Sequence, residues 1–440
     1  MRQTSIYLLL IGMSSLASAA GPMVLKAKRL FDARSGSTTT PGIVVVVAGQ
    51  IQAVGSGAAI PDGAQVIDLG DATLLPGFMD AHTHLSQQGS DNWNQDEIDF
   101  LRKTVAERAL DATEYARKTL MAGFTTVRDV GSSDYIDVGL RNAIHDGKVP
   151  GPRMLVAIHA IGATGGHCDG AAGFRHGLFG KETGPEDGVV NSPDQAREAV
   201  RLDIKYGADV IKTCATGGVL SLTDDVDTPQ LTQAELDALI DEAHALRRKT
   251  AAHAHGATGA KRAIRAGIDS IEHGTFLDDE ALEMMKARGT VWNPTLAASW
   301  WLDQQIEKGR YLPPPIVAKA RAAIASIHAT FRKGLDKGVT IGFGTDAGVY
   351  PHGLNAVEFG LMVKLGMKPG DALKTATSVD ADLLGLTAKL GTLEAGKIAD
   401  VIAVPGDPTA DIHQTEHVFF VMKEGTVFRN DRAQGTQAAN

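Results

Sequence analysis

From Val24 to Leu75 short β-branched runs alternate with turn residues: MVLKAKRLFDA, GIVVVVAGQIQAVG and QVIDLGDATLLP. The run Ile43 to Val47, followed by Gly49-Gln50 and then Pro61-Asp62-Gly63, predicts a set of hairpins. These strands are too few to close a core of their own. Near the other end GKIADVIAVPGDP and VFFVMKEGTVFRN repeat the pattern, so the two ends are expected to fold together into one small β-sandwich.

Between the ends, apolar runs alternate with amphipathic helical stretches, the pattern of a parallel sheet with crossover helices. Eight such runs finish in polar residues: LLPGFMDAHTH, TTVRDVGS, MLVAIHAIG, DVIKTCATGG, TAAHAHG, SIEHG, TVWNPTL and TIGFGTDAG. The stretch LTQAELDALIDEAHALRRK carries its own start signal, Thr232 as N-cap with Glu235 as capping-box partner. The expectation is an α/β fold, a (β/α)₈ TIM barrel over residues 75–387 enlarged by loops, with residues 21–74 and 388–440 forming the sandwich. A doubly wound open sheet is the alternative, but no dinucleotide glycine fingerprint follows the first strand.

Composition alters this picture only at the edges. Hydrophobic residues make up 43% of the 440, charged residues 22%, and 49 glycines fit a turn-rich α/β protein. Residues 1–20 stand apart: Arg2, the apolar run Ile6 to Met13 and Ala17-Ser18-Ala19 have the pattern of a secretory signal peptide. That run is too short to span a bilayer, and no cysteine follows it to carry a lipid anchor. A periplasmic or secreted protein, without membrane contact once the signal is removed, is expected. Cys168 and Cys214 are the only cysteines, which excludes a disulfide framework and leaves one bridge or two buried thiols open. The formal charge of −9 provides no basic stripe for nucleic acid.

In a barrel of this kind the chemistry lies at the C-terminal ends of the strands. Alternation places His82 and His84 on one face of the first strand, where two imidazoles can chelate one ion. His253, His273 and Asp346 end the fifth, sixth and eighth strands. A single strand histidine is more often a core residue. Four of them with an aspartate would share one small volume, where polar groups without partners are expensive, and imidazole with carboxylate suits Zn²⁺ and its neighbours. Lys212 sits in a strand expected to be buried on both faces; its ordinary role would be to reach the rim or pair with Asp209. An ammonium cannot bind metal, but a lysine carboxylated by CO₂ is an anion able to bridge two cations.

HTH on strand 1, lysine on strand 4, histidine on strands 5 and 6 and TDAG on strand 8 resemble the amidohydrolase superfamily, from about Val24 to Arg429. GTLEAGKIADVIAV is similar to its return into the sandwich. The resemblance implies two divalent ions, with zinc favoured by ligand type. His82, His84 and Asp346 would hold the more buried ion, His253 and His273 the more exposed one, and carboxylated Lys212 would bridge them. Asp346 would also carry a proton from the attacking water to the leaving amine. His255, on the same face as His253, is assigned to the substrate, though the two roles can be exchanged.

ATGGHCDG, ATGGVLS with DTPQLT, AHAHGATGAKRAIRAGIDSIEHG and NPTL are similar to the secreted, imidazolonepropionase-related branch. That branch includes Xaa-Pro and Xaa-Arg/Lys dipeptidases and ochratoxin-degrading amidohydrolases. It implies hydrolysis of the amide bond to a C-terminal L-amino acid in a dipeptide or N-acyl amino acid, ochratoxin A included. His159, His167 and His255, with Arg175, would receive the substrate carboxylate; Val219, Leu220, Trp292, Trp300 and Trp301 would line an apolar pocket. Cys168 stands where relatives often carry glycine, and the strand 4 loop lacks a clear tyrosine, which argues against proline specificity. The resemblance also implies a homo-oligomer, up to an octamer. The rival readings are a mononuclear ring-opening hydrolase or deaminase with Lys212 structural, a lactonase or phosphotriesterase, and a binding protein without turnover. HAHGATGA offers no glutamate for deamination, and the complete ligand set argues against a decayed site.

Overall fold

The computed structural model describes residues 21–434, so the expected signal peptide lies outside the described residues. Both ends of the chain meet in one six-stranded sheet, in the order Thr426–Asn430, Phe420–Lys423, Val401–Pro405, Ala72–Pro76, Arg29–Asp32, Ser37–Thr39. The join is the antiparallel pairing of Val401–Pro405 with Ala72–Pro76, Ile402 opposite Leu75. A second sheet orders Gln50–Val54, Gly42–Val47, Met23–Ala27 and Gln65–Asp68. Strand alternation turns Val44 and Val46 into one apolar cluster with Leu74, Val401, Phe420 and Met422 of the first sheet. Neither end owns enough apolar surface to bury alone, which is why they associate.

The central residues form parallel sheets. Phe78–Thr83, Phe124–Asp129 and Arg153–Val156 make one. Ala160–Ala163, Val210–Cys214, Lys249–Gly256, Ser270–Phe276 and Val291–Asn293 follow one another in the other. The run MLVAIHAIG, expected as one strand, is broken at Ile158, whose φ is +69°. The break lets Arg153–Val156 pair with Phe124–Asp129 while Ala160–Ala163 pairs with Val210–Cys214.

The eighth expected strand, TIGFGTDAG, is extended chain held by isolated bridges, Ile341 with Trp292 and Ala347 with Thr83. It lies between the two parallel sheets: Gly342 N–H donates to Trp292 O at 2.9 Å, and Ala81 N–H donates to Phe343 O at 2.8 Å. Gly344 permits this approach, since a Cβ there would sit 2.9 Å from the Cβ atoms of both Asn293 and His82. The capping box forms as expected on helix Gln233–Ala245, with Thr232 N–H donating to Glu235 Oε2 at 2.8 Å. Among the described residues no helix is long and apolar enough to cross a membrane.

One expectation is overturned by the packing. Trp292, placed above in the substrate pocket, is fully buried in the core beside Phe331, and its indole N–H donates to His273 O at 2.9 Å. On a short strand neighbouring side chains take opposite faces. Trp292 therefore points outward to helix Pro314–Lys337, and Asn293 points inward to Glu272.

Candidate active site

Alternation along the first central strand brings His82 and His84 to the same side, ring centres 5.4 Å apart. Asp346 reaches both: its Oδ1 is 3.4 Å from His82 Nε2 and 3.3 Å from His84 Nε2. The next rings follow closely, His82 to His273 at 4.9 Å and His273 to His253 at 4.5 Å. Donor atoms of His82, His273 and Asp346 all lie within 4.8 Å of one another, as do those of His253, His255 and His273. His255, expected to meet substrate, thus shares a group with His253 and His273.

Each imidazole has one nitrogen tied to the protein, which fixes its orientation and leaves the other free to ligate. His82 Nδ1–H donates to Glu272 Oε2 at 2.8 Å, and His84 Nδ1–H donates to Gly131 O at 2.9 Å. His253 Nε2–H donates to Gly217 O at 3.0 Å. His255 and His273 share hydrogen bonds through Nδ1 with the hydroxyls of Thr275 and Thr295, at 2.7 and 2.8 Å. His273, Thr295 and Asp346 have φ of +68°, +50° and +60°, a left-handed conformation that costs a non-glycine residue of order 1 kcal/mol or more. Its concentration at this site means that the surroundings enforce it. For Thr295 the enforcing contact is Glu358, which accepts the N–H groups of Leu296 and Ala297 at 3.0 and 2.7 Å.

Burial sets the electrostatics. It pushes His255 down to about 3, reinforced by the charge of His167. It drives His253 and His273 well below the usual imidazole range, each helped by neighbouring histidines. These rings are neutral, the state that binds a metal. Burial would raise Asp346, but the hydrogen bonds and charges of His82 and His84 outweigh it and hold the carboxyl below its ordinary range. Burial also lowers Lys212 to about 8 against the opposing charges of Glu272 and Asp346. Lys212 is 2% exposed and forms no ion pair among the described residues. A buried ammonium without a partner is costly. Neutral imidazoles beside an ionised carboxylate are a donor set that fits a divalent metal ion.

The five imidazoles, Asp346 and Lys212 line one cavity of about 750 Å³. His159, His167, Val219 and Leu220 line it too. His159 donates from Nδ1 to Asp203 Oδ1 at 2.7 Å, and the His167 ring lies 4.2 Å from that of His253. Arg175 is exposed and, like Trp292, Trp300 and Trp301, lies outside the lining. Glu272, Arg128, Thr295 and Glu358 escaped the sequence reading. A sign was present for two of them, since Arg128 and Glu272 are charges inside the apolar runs TTVRD and SIEHG. Cys168 and Cys214, left open above, form a disulfide across a Cα separation of 6.0 Å.

Comparison with known proteins adds lineage to this geometry. The amidohydrolase family matches residues 73–429. An ochratoxinase of Aspergillus niger is 32% identical over 377 residues, covering 81% of this chain and 75% of its own length. The crystal structure of a Xaa-Pro dipeptidase with methionine bound in the active site is 41% identical. It superposes with a TM-score of 0.89 over 93% of this chain and 100% of that one. The crystal structure of A. niger ochratoxinase, 29% identical, gives a TM-score of 0.81 over 93% and 96%. These neighbours imply the α/β TIM-barrel fold.

Proposed function

The chain belongs to the amidohydrolase family and is a hydrolase acting on amide bonds; from that premise we propose that it releases a C-terminal L-amino acid from a dipeptide or an N-acyl amino acid, using two divalent metal ions. The observation that carries this reading is the unpartnered Lys212 among His82, His84, His253, His273 and Asp346 in one cavity. His82, His84 and Asp346 would hold one ion, His253 and His273 the other, and carboxylated Lys212 both, with zinc favoured by ligand type. When bound, such ions activate water at neutral pH and polarise a carbonyl oxygen.

The chain's own residues do the rest. Asp346, ionised between His82 and His84, accepts a proton from the attacking water and returns it to the leaving nitrogen. His159, its Nδ1–H fixed on Asp203, directs its other nitrogen to the carboxylate of the leaving amino acid, with His167 and His255 lining the same cavity. Val219 and Leu220 form an apolar wall. The likeness to an ochratoxinase supports an aromatic acyl half such as that of ochratoxin A. A mononuclear ring-opening enzyme would leave Lys212 buried without a role, whereas a lactonase would use the same two ions and the same lysine. The same reading includes a closed (β/α)₈ barrel over 75–387, a β-sandwich from 21–74 and 388–440, export after removal of residues 1–20, and a homo-oligomer up to an octamer.

The test is amino-acid release by mass spectrometry from zinc-loaded residues 21–440. The panel holds Xaa-Arg, Xaa-Lys, Xaa-Pro and Xaa-Phe dipeptides, N-acyl amino acids and ochratoxin A, and bound metal is counted in parallel. Release of one class of C-terminal residue supports the proposal. Silence across the panel with two ions bound overturns it in favour of ring opening or lactone hydrolysis.

A further inference from the structure

The Cys168–Cys214 disulfide joins two segments that each carry a residue of the site. Cys214 ends the strand Val210–Cys214 two residues after Lys212, so both side chains point to the same side, and both line the cavity. Cys168 directly follows His167, whose ring packs on His253. The loop that holds Cys168 and His167 is otherwise tied outward by single hydrogen bonds: Asn191 Nδ2–H donates to Thr164 Oγ1 at 2.7 Å and Thr223 Oγ1–H to Gly165 O at 3.2 Å. His167 N–H donates to Gln230 Oε1 at 3.0 Å, its Nδ1 shares a hydrogen bond with Ser221 Oγ at 3.1 Å, and Asp169 bonds only within its own loop, to Gly165, Ala171 and Thr183. Room for the bridge depends on Gly162, where a Cβ would lie 2.9 Å from that of Cys168.

We propose that the Cys168–Cys214 disulfide is a positioning element that holds the 163–170 loop, and with it His167, over the substrate cavity, so that reducing it weakens substrate binding without removing the catalytic groups. The proposal rests on the reading of this cavity as an amide-hydrolysing site. Because both cysteines line the cavity, a small reductant can reach the bond. Reduction by a phosphine consumes one water: the S–S bond breaks, each sulfur gains a hydrogen, and the phosphine is oxidised to its oxide. The bridge is compatible with an oxidising compartment.

The test compares oxidised protein, protein reduced by tris(carboxyethyl)phosphine and then freed of it, and the double variant Cys168→Ala/Cys214→Ala. Intact mass and thiol alkylation report the bond, and bound metal is measured in every sample. Hydrogen exchange of the 163–170 peptide reads the tether without any reference to activity. Loss of the bond is expected to speed that exchange and to raise KM about tenfold, with kcat within about twofold and metal content unchanged. Reoxidation should reverse both changes, which keeps the test informative if the double variant fails to fold. Two free thiols in the air-oxidised protein, unchanged exchange on reduction, or a collapse of kcat with loss of metal each overturns the proposal. If oxidised protein hydrolyses no member of the substrate panel, the functional reading fails, and the exchange result still decides whether the bridge tethers the loop.

Discussion

Glu272 and His82 meet in the buried interior, carboxylate Oε2 to imidazole Nδ1 at 2.8 Å, across 190 positions of sequence. Arg128 Nη2 pairs with the other carboxylate oxygen at 2.8 Å, and Arg128 Nε–H donates to Ala81 O at 2.6 Å. Burial would raise Glu272, but the charge of Arg128, with His82, holds it at about 2. The carboxylate is therefore ionised at every working pH and fixes both the tautomer and the direction of His82, leaving Nε2 toward Asp346.

Glu272→Gln should weaken metal binding by roughly 10- to 100-fold, read by competition with a chelator. The variant also strips a buried charge partner from Arg128, at a cost of about 3–5 kcal/mol, so affinity is read well below its melting temperature. Wild-type affinity in the folded variant would show that Glu272 does not orient the ligand.

Lys212→Ala should abolish turnover, and added short carboxylates should restore part of it by standing in for the carboxylated side chain. Retention of full activity would refute the bridging role. Asp346→Asn should lower kcat by about 10²- to 10⁴-fold while leaving much of the metal bound. A normal rate in that variant would rule out Asp346 as the proton carrier.

Trp292→Phe separates core from pocket. It keeps an aromatic ring beside Phe331 but removes the donor to His273 O, leaving a buried carbonyl short of a partner at a cost of about 1–3 kcal/mol. The melting temperature should fall while KM stays within about twofold. A large rise in KM at unchanged stability would return Trp292 to the pocket.

Glu358 makes stability depend on pH in a defined sense. Burial raises its carboxyl from 4.5 to about 8, against the opposing N–H groups of Leu296 and Ala297. Between those values the folded chain keeps a proton that the unfolded chain has lost, so stability falls as pH rises, by up to about 1.4 kcal/mol per pH unit. Glu358→Gln should remove that part of the slope in denaturant titrations from pH 5 to 8. Identical slopes in the two proteins would mean that Glu358 is ionised when folded.

Local rules reach far into this protein. The i, i+2 spacing in HTH is enough to put His82 and His84 on one face, because side chains alternate on any strand. Thr232 and Glu235 mark a helix start because their partners are backbone groups three residues away. The same rules fail where two choices are locally equivalent. In VWN, alternation requires Trp292 and Asn293 to face opposite ways but does not say which faces the cavity. MLVAIHAIG reads as one apolar run although Ile158 breaks it to serve two sheets.

By itself, then, the sequence determined the candidate ligand set and the face of the strand on which His82 and His84 lie, since both follow from residue type and short-range periodicity. Only the tertiary structure decided that Glu272 holds His82, that Thr295 and Glu358 hold His273, that Cys168 bonds to Cys214, and that Trp292 belongs to the core. Those contacts join residues on different elements, and their energy depends on which elements pack together, a property of the whole chain that no local pattern contains.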